Sequence, residues 1–382
     1  MTSTQVAPKA TPTLGPIPAS GAWRPGDPVG NRRFAPIGDL RLEGGALVPD
    51  AVLAFETWGT LNAARDNAVY IAHALTGDAH AFGEAGPGHP TPGWWNPLIG
   101  PGKPLDPARH FIVSANVIGG CQGSTGPASL APDGRAWGSR FPWPSIRDLV
   151  GAERRLTDLL GIDRWRLVLG PSMGGMRVLE WVVTNPERVG AIAVMGTTAA
   201  STAEQIAWGV PQVGAIEADP KFRGGDYYEA ADGDGPEVGL GIARQIAHIT
   251  YRSEAELGRR FGREIRADGV FEVQSYLEHH GDKLARRFDA NTYVRLVNAI
   301  NGHDVGRDRG GVRAALARFT GPALVIAVDS DRLYPASNAR VLDAGLSGSR
   351  GIRWVHSGVG HDGFLVESEQ FNAHLREFER GL

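Results

Sequence analysis

Apolar positions in the first half of the chain fall in short, β-branched runs: Ala51 to Thr57, Ala68 to His73, Phe111 to Ala115, Leu167 to Leu169 and Ala191 to Met195. Short runs bounded by turn residues read as buried strands. Between the later runs, Ser145 to Leu160 holds Ile146, Leu149, Val150, Leu156, Leu159 and Leu160 at roughly helical spacing. Met176 to Thr184 reads as a second helix, closed by Asn185-Pro186. Strands alternating with helices predict a mostly parallel sheet covered on both faces, a doubly wound α/β core.

From about Thr198 to His303 the strand pattern gives way to helices. The candidates are Ala203 to Ala218, Leu240 to Tyr251, Glu254 to Phe261, Val270 to Phe288 and Thr292 to Asn301, with Asp232-Gly233-Asp234-Gly235 as a loop. A helical block inserted into a parallel-sheet protein is most simply a cap over the active site. The sheet pattern resumes with Ala323 to Val328 and Ile352 to His356. The expected organisation is core over residues 34–197, a helical lid over 198–309 and core again over 310–382. Residues 1–33, rich in Pro, Thr, Ala and Gly, read as a flexible N-terminal arm.

The 382 residues carry a formal net charge of −3, so no concentrated basic face suggests a nucleic-acid partner. The single cysteine, Cys121, allows no intramolecular disulfide and fits a cytoplasmic setting. The arm lacks the basic start and apolar core of a signal peptide, and no apolar run is long enough for a membrane span.

Candidate chemistry begins at Gly170-Pro171-Ser172-Met173-Gly174-Gly175, directly after the apolar run ending at Leu169. A G-x-S-x-G segment between a buried strand and a helix is a nucleophile elbow, whose strained turn exposes the serine hydroxyl and needs small neighbours. A serine hydroxyl is a poor nucleophile at neutral pH. It needs an imidazole to take its proton and a carboxylate to orient that imidazole. In α/β-hydrolases the order is Ser, acid, His. Asp329-Ser330-Asp331 follows the Ala323 to Val328 strand, and His361 lies in a glycine-flanked loop after the last strand. Position alone leaves Asp329 and Asp331 equal. His356, inside a strand pattern, and His303, in the lid, read as structural. Oxyanion donors are expected at the backbone N–H of Met173 and of Leu75, in the loop after the Ala68 strand. Cys121 lacks an elbow of its own. With neither H-E-x-x-H nor a cysteine pair, no metal site and no cofactor are expected.

Beyond these features, Thr76-Gly77-Asp78-Ala79-His80, Gly86-Pro87-Gly88-His89-Pro90-Thr91-Pro92-Gly93-Trp94-Trp95, Gly123 to Pro127, Gln274 to Glu278, Asn301 to Gly306, Asp331 to Pro335 and Gly360 to Phe364 closely resemble the homoserine O-acetyltransferase family, particularly its actinobacterial members. The resemblance covers most of residues 40–375. It implies an α/β-hydrolase fold with a helical lid, ping-pong acetyl transfer from acetyl-CoA as co-substrate to L-homoserine in methionine biosynthesis, and a homodimer formed through the lid helices. It implies Ser172 as nucleophile, His361 as acid/base and Asp331, not Asp329, as orienting carboxylate. It also implies Arg244, with Tyr251 two turns further along the same helix face, for the acceptor's carboxylate, and Asp362 for its ammonium. Relatives that use succinyl-CoA place an arginine two residues after the catalytic aspartate. Leu333 stands there and favours acetyl, since an unpaired buried carboxylate is costly. The competing readings are a relative that acylates L-serine, a carboxylic-ester hydrolase with the same triad, and a catalytically silent binding protein.

Overall fold

The computed structural model describes residues 15–382. Eight strands form one sheet: β1 (Arg33–Arg41), β2 (Leu47–Trp58), β3 (Ala68–Ile71), β4 (Phe111–Ala115), β5 (Trp165–Pro171), β6 (Val189–Met195), β7 (Ala323–Val328) and β8 (Ser349–Val355). Their order is β1-β2-β4-β3-β5-β6-β7-β8. The pairs β1/β2 and β2/β4 are antiparallel and all others parallel.

Successive residues of a strand point to opposite faces, so a run buried throughout requires cover on both. In β5, Val168 packs with Leu149, Leu156 and Trp181 on one face. Its neighbours Leu167 and Leu169 pack on the other with Trp95, Phe371 and Leu375. Helices α1 (Ile146–Leu159) and α2 (Met173–Thr184) supply part of the first face. A reciprocal capping box between Ser145 and Asp148 starts α1.

Between β6 and β7 lie six α-helices: α3 (Ala203–Glu217), α4 (Glu237–Tyr251), α5 (Glu254–Phe261), α6 (Glu272–Ala285), α7 (Ala290–Asn301) and the short α8 (Val312–Leu316). Helix α4 packs between α3 and α6. After β7 the chain adds α9 (Ala336–Gly345), α10 (Gly363–Val366) and α11 (Ser368–Glu379).

Two sequence expectations need correction. Strand β1 went unseen because, as an edge strand, it buries only Phe34's neighbour Ala35 with Ile37 and Leu40, and its pairing is irregular around Gly38. It has no continuous apolar run to detect. The second correction concerns the arm over residues 1–33. Its first fourteen residues lie outside the described part, but its later portion is tied down. Gly21 donates to the Phe288 carbonyl at 3.1 Å and Trp23 to that of Cys121 at 2.9 Å. Ser20 Oγ donates to Asp289 Oδ1 at 2.7 Å, and Arg32 Nη2 to Gln122 Oε1 at 2.8 Å. Composition concealed this, because glycine and alanine here serve close approach: a Cβ on Gly21 would stand 2.5 Å from the Phe288 nitrogen.

Candidate active site

The strand β5 ends at Pro171, and Ser172 turns the chain into α2 with φ 54° and ψ −124°. A non-glycine residue holds such a conformation only where its surroundings enforce it. Here the Ser172 N–H donates to the Met195 carbonyl at 2.9 Å, and Thr197 Oγ1 to the Ser172 carbonyl at 2.8 Å. The elbow also presses against the end of β3. A Cβ on Gly170 would come within 2.6 Å of the Ala72 carbonyl oxygen, and one on Gly174 would collide with the same atom.

Beneath the elbow, Arg177 of α2 is fully buried. Its Nε donates to Glu153 Oε1 at 2.7 Å, and Trp181 Nε1 donates to Glu153 Oε2 at 2.7 Å. Arg177 Nη1 donates to the His73 carbonyl at 2.9 Å. This network ties the nucleophile's helix to the loop that carries Leu75. Among the described residues, neither the Leu75 nor the Met173 N–H donates to a backbone carbonyl outside its own element. Both are therefore available to an oxyanion.

The geometry separates the two aspartates. Asp331 Oδ2 lies 2.7 Å from His361 Nδ1, while its Oδ1 accepts the Leu333 and Tyr334 N–H groups, each at 2.9 Å. Asp329 instead meets His356 Nδ1 at 2.9 Å and the Ser357 N–H at 3.0 Å. His356 was expected within a strand; it lies just past the end of β8, exposed. His303 is buried against the Thr198 carbonyl, and burial lowers its pKa to about 4.

Burial disfavours the His361 imidazolium, but the charge and hydrogen bond of Asp331, with the charge of Asp362, outweigh it and raise its pKa above the ordinary value. The Ser172 hydroxyl lies against the Tyr334 phenol. Ser172 and His361 line one cavity of about 140 Å³ with Leu75, Arg244, Tyr251, Asp362, Trp94 and Arg287.

The resemblance's substrate residues meet in this cavity. The Arg244 guanidinium stands 5.2 Å from the centre of the Tyr251 ring. Asp362 is held from two sides: its N–H donates to the Tyr251 carbonyl at 3.1 Å, and its carboxylate pairs with Arg252 Nη2 at 3.2 Å. Burial raises the Asp362 pKa, against the lowering charges of Arg252, Arg244 and His361. Sequence reasoning missed Arg252 and Tyr334. Their nearness in sequence to Tyr251 and Asp331 was the available signal. Leu333 lines a second, smaller cavity, of about 50 Å³, which also touches Ser172, with Trp208, Gln205 and Gln212. Cys121 is buried and its thiol pKa is pushed up by desolvation, which suppresses thiolate chemistry.

Glu56, His80 and His89 form a buried cluster with metal-ligand atom types. The two imidazoles stack with centroids 3.8 Å apart and planes 9° from parallel. A metal ligated by both rings must lie near both ring planes, which stacked parallel rings do not allow. His89 Nε2 already accepts the Asn31 N–H at 3.1 Å, and His80 Nδ1 contacts Glu56 Oε2 at 3.0 Å. These contacts tie the 78–94 loop to Glu56 of β2 and to Asn31.

Residues 67–368 match the family described as alpha/beta hydrolase fold. The chain is 54% identical over 372 residues to the homoserine O-acetyltransferase of Thermobifida fusca (strain YX), covering 96% of this chain and 98% of that protein. Among solved structures, esterase E22 superposes with a TM-score of 0.83 at 26% identity, covering 91% of this chain and 99% of that one. A homoserine O-acetyltransferase from Bacillus anthracis matches with the same TM-score, 0.83, at 24% identity over 91% of this chain and 96% of that one, a likeness of fold. The sheet order, the Ser172 elbow and these similarities together place the chain in the homoserine O-acetyltransferase family of α/β hydrolases.

Proposed function

We propose that this protein is an acyltransferase that moves acetyl from acetyl-CoA to the side-chain hydroxyl of L-homoserine, the activation step of methionine biosynthesis. Ser172 Oγ attacks the thioester carbon while His361 takes its proton, and the Met173 and Leu75 N–H groups receive the oxyanion. Collapse expels CoA as thiol, reprotonated by His361, and leaves an acetyl ester on Ser172. Homoserine then binds with its carboxylate on Arg244 and its ammonium on Asp362. His361 deprotonates its hydroxyl, which attacks the ester and regenerates Ser172. Asp331 keeps the imidazole oriented and stabilises its cation. The scheme needs no cofactor and no metal.

The observation that carries this reading is the convergence on one cavity of an acyl-transfer triad with a cation and an anion suited to a zwitterionic acceptor. Leu333 beside Ser172 supports acetyl over succinyl, since it offers no partner to a second carboxylate. A homodimer through the lid helices is part of the reading, supported by Val210 of α3 and by Val238 and Ile242 of α4, which are exposed. So is a cytoplasmic setting, supported by the lone buried Cys121.

Rapid mixing with acetyl-CoA alone tests the scheme. One equivalent of CoA should appear in a burst, with acetyl on Ser172, and homoserine should then discharge it. A burst that survives Ser172→Ala overturns the scheme. The likeness to esterase E22 favours one rival, hydrolysis with water as acceptor. Acetate rather than O-acetylhomoserine as the product in saturating homoserine would establish that rival instead.

A further inference from the structure

The cavity that holds Ser172 does not end at the reacting atoms. It adjoins a larger one, of about 290 Å³, and the two share Thr76, Gly77, Trp94, Arg287 and Leu365 in their walls. Where the larger cavity opens, Lys283 of α6 and Arg287, four residues on, line the same wall. Helix α6 ends at Ala285, and the turn that follows it, closed by the Arg287 N–H on the Leu284 carbonyl at 2.9 Å, keeps Arg287 on the wall that Lys283 lines, so the two cations act on one region of space.

Their lack of partners gives that placement meaning. Lys221, elsewhere in the lid, pairs with Glu237 at 2.9 Å, and Arg252 pairs with Asp362. Among the described residues, neither Lys283 nor Arg287 has a carboxylate within ion-pair distance. Arg287 Nη1 donates to the Thr76 carbonyl at 2.9 Å, and the residue lines both cavities. The one carboxylate in the wall of the larger cavity is Asp78, whose Oδ1 accepts the His80 N–H at 2.8 Å. Arg287 is half-buried, and a guanidinium with no carboxylate within ion-pair distance gains from a ligand's negative charge.

We infer that Lys283 and Arg287 form a phosphate-receiving subsite, which holds the phosphorylated end of the acyl donor while its thioester reaches Ser172 through the shared wall of the two cavities. This rests on the acetyl-CoA reading above and adds where the donor lies. The guanidinium fork suits a phosphate's paired oxygens, and the lysine at the mouth adds a point charge. Arg287 is thereby also a positioning residue, since it grips the carbonyl of Thr76, next to the Leu75 oxyanion donor.

The test separates the phosphates from the thioester. Acetylation of Ser172 is followed without acceptor, using acetyl-CoA, acetyl-dephospho-CoA, acetyl-4′-phosphopantetheine and acetylpantetheine. The variants are Lys283→Glu and Lys283→Gln, at an exposed position where folding is not at stake. Lys283→Glu should lower kcat/KM for acetyl-CoA by about tenfold more than for acetylpantetheine, with Lys283→Gln between. The step in the donor series at which the penalty appears identifies the phosphate held. Equal losses with all four donors, or no loss with any, overturn the subsite but leave acetyl transfer standing. If no thioester acetylates Ser172 in the unaltered enzyme, the acetyl-CoA reading falls and takes the subsite with it.

Discussion

Asp331 Oδ2 stands 2.7 Å from His361 Nδ1, whereas Asp329, two residues earlier, is engaged by His356 and the Ser357 N–H. A carboxylate that fixes an imidazole's tautomer is needed for every turnover, while one that braces a loop is not. Asp331→Asn should therefore slow acetylation of Ser172 by about 10³- to 10⁴-fold. Asp329→Asn should change it by less than about tenfold, the cost of a partly exposed loop contact. Burst kinetics with acetyl-CoA on both variants decide the matter; comparable losses would show that the loop, not the pair, sets the rate.

The acceptor side separates from the donor side through Arg244 and Arg252. Replacing Arg244 by Leu removes the cation proposed to hold the acceptor's carboxylate and should raise the homoserine KM by at least about tenfold, the worth of a charge-assisted contact. The CoA burst should persist, because no acceptor takes part in it. Arg252→Gln leaves Asp362 buried without its 3.2 Å partner. Burial then favours the protonated acid, which no longer attracts an ammonium, so homoserine KM should rise at neutral pH and recover as the pH is raised. A KM that ignores pH would mean that Asp362 does not meet the acceptor's ammonium.

Much of this was legible along the chain because the features are local. The elbow is contiguous, the central parallel strands β3, β4, β6 and β7 hold largely apolar runs, and the helices α3, α5 and α7 between β6 and β7 lie within two residues of their periodic patterns. What escaped depends on contacts between distant segments. Position alone leaves Asp329 and Asp331 equal, and only the family resemblance points to Asp331, because the choice rests on which carboxylate faces His361, some thirty residues later. The Arg252 pairing with Asp362 and the Arg177 tether to His73 join residues over a hundred positions apart. Edge strand β1, half exposed and irregular, gave no pattern of its own.

The tight seat of the elbow makes a stability prediction. Gly174 faces the Ala72 carbonyl so closely that a methyl group requires the helix or the end of β3 to move. Gly174→Ala should cost about 1–3 kcal/mol, as overpacking does. It should also depress acetylation more than that cost implies, because the same shift moves the Met173 N–H. Urea unfolding beside burst amplitude measures both effects. Unchanged stability would mean that the elbow yields freely.

Buried neutral histidines supply a final prediction, in pH. Burial lowers the pKa of His73 to about 3, with Arg177 adding to the effect, and that of His303 to about 4. An unfolded histidine titrates near 6.5, so below that pH the unfolded chain binds protons that the folded one refuses. The stability these groups contribute is complete above 6.5 and is lost as the pH falls toward the folded values. Each removes up to about 1.4 kcal/mol per pH unit in that window. His361 has the opposite sign: its raised pKa contributes stability below 6.5 that disappears as pH rises through the folded value. Comparing His303→Gln with the parent chain isolates one such group, since glutamine can still donate to the Thr198 carbonyl but takes no proton. Between pH 6 and 5 the variant's unfolding free energy should fall less steeply, by up to one proton's worth of slope. Parallel pH dependences for the two proteins would show that His303 is protonated in the folded state, and that its burial does not hold it neutral.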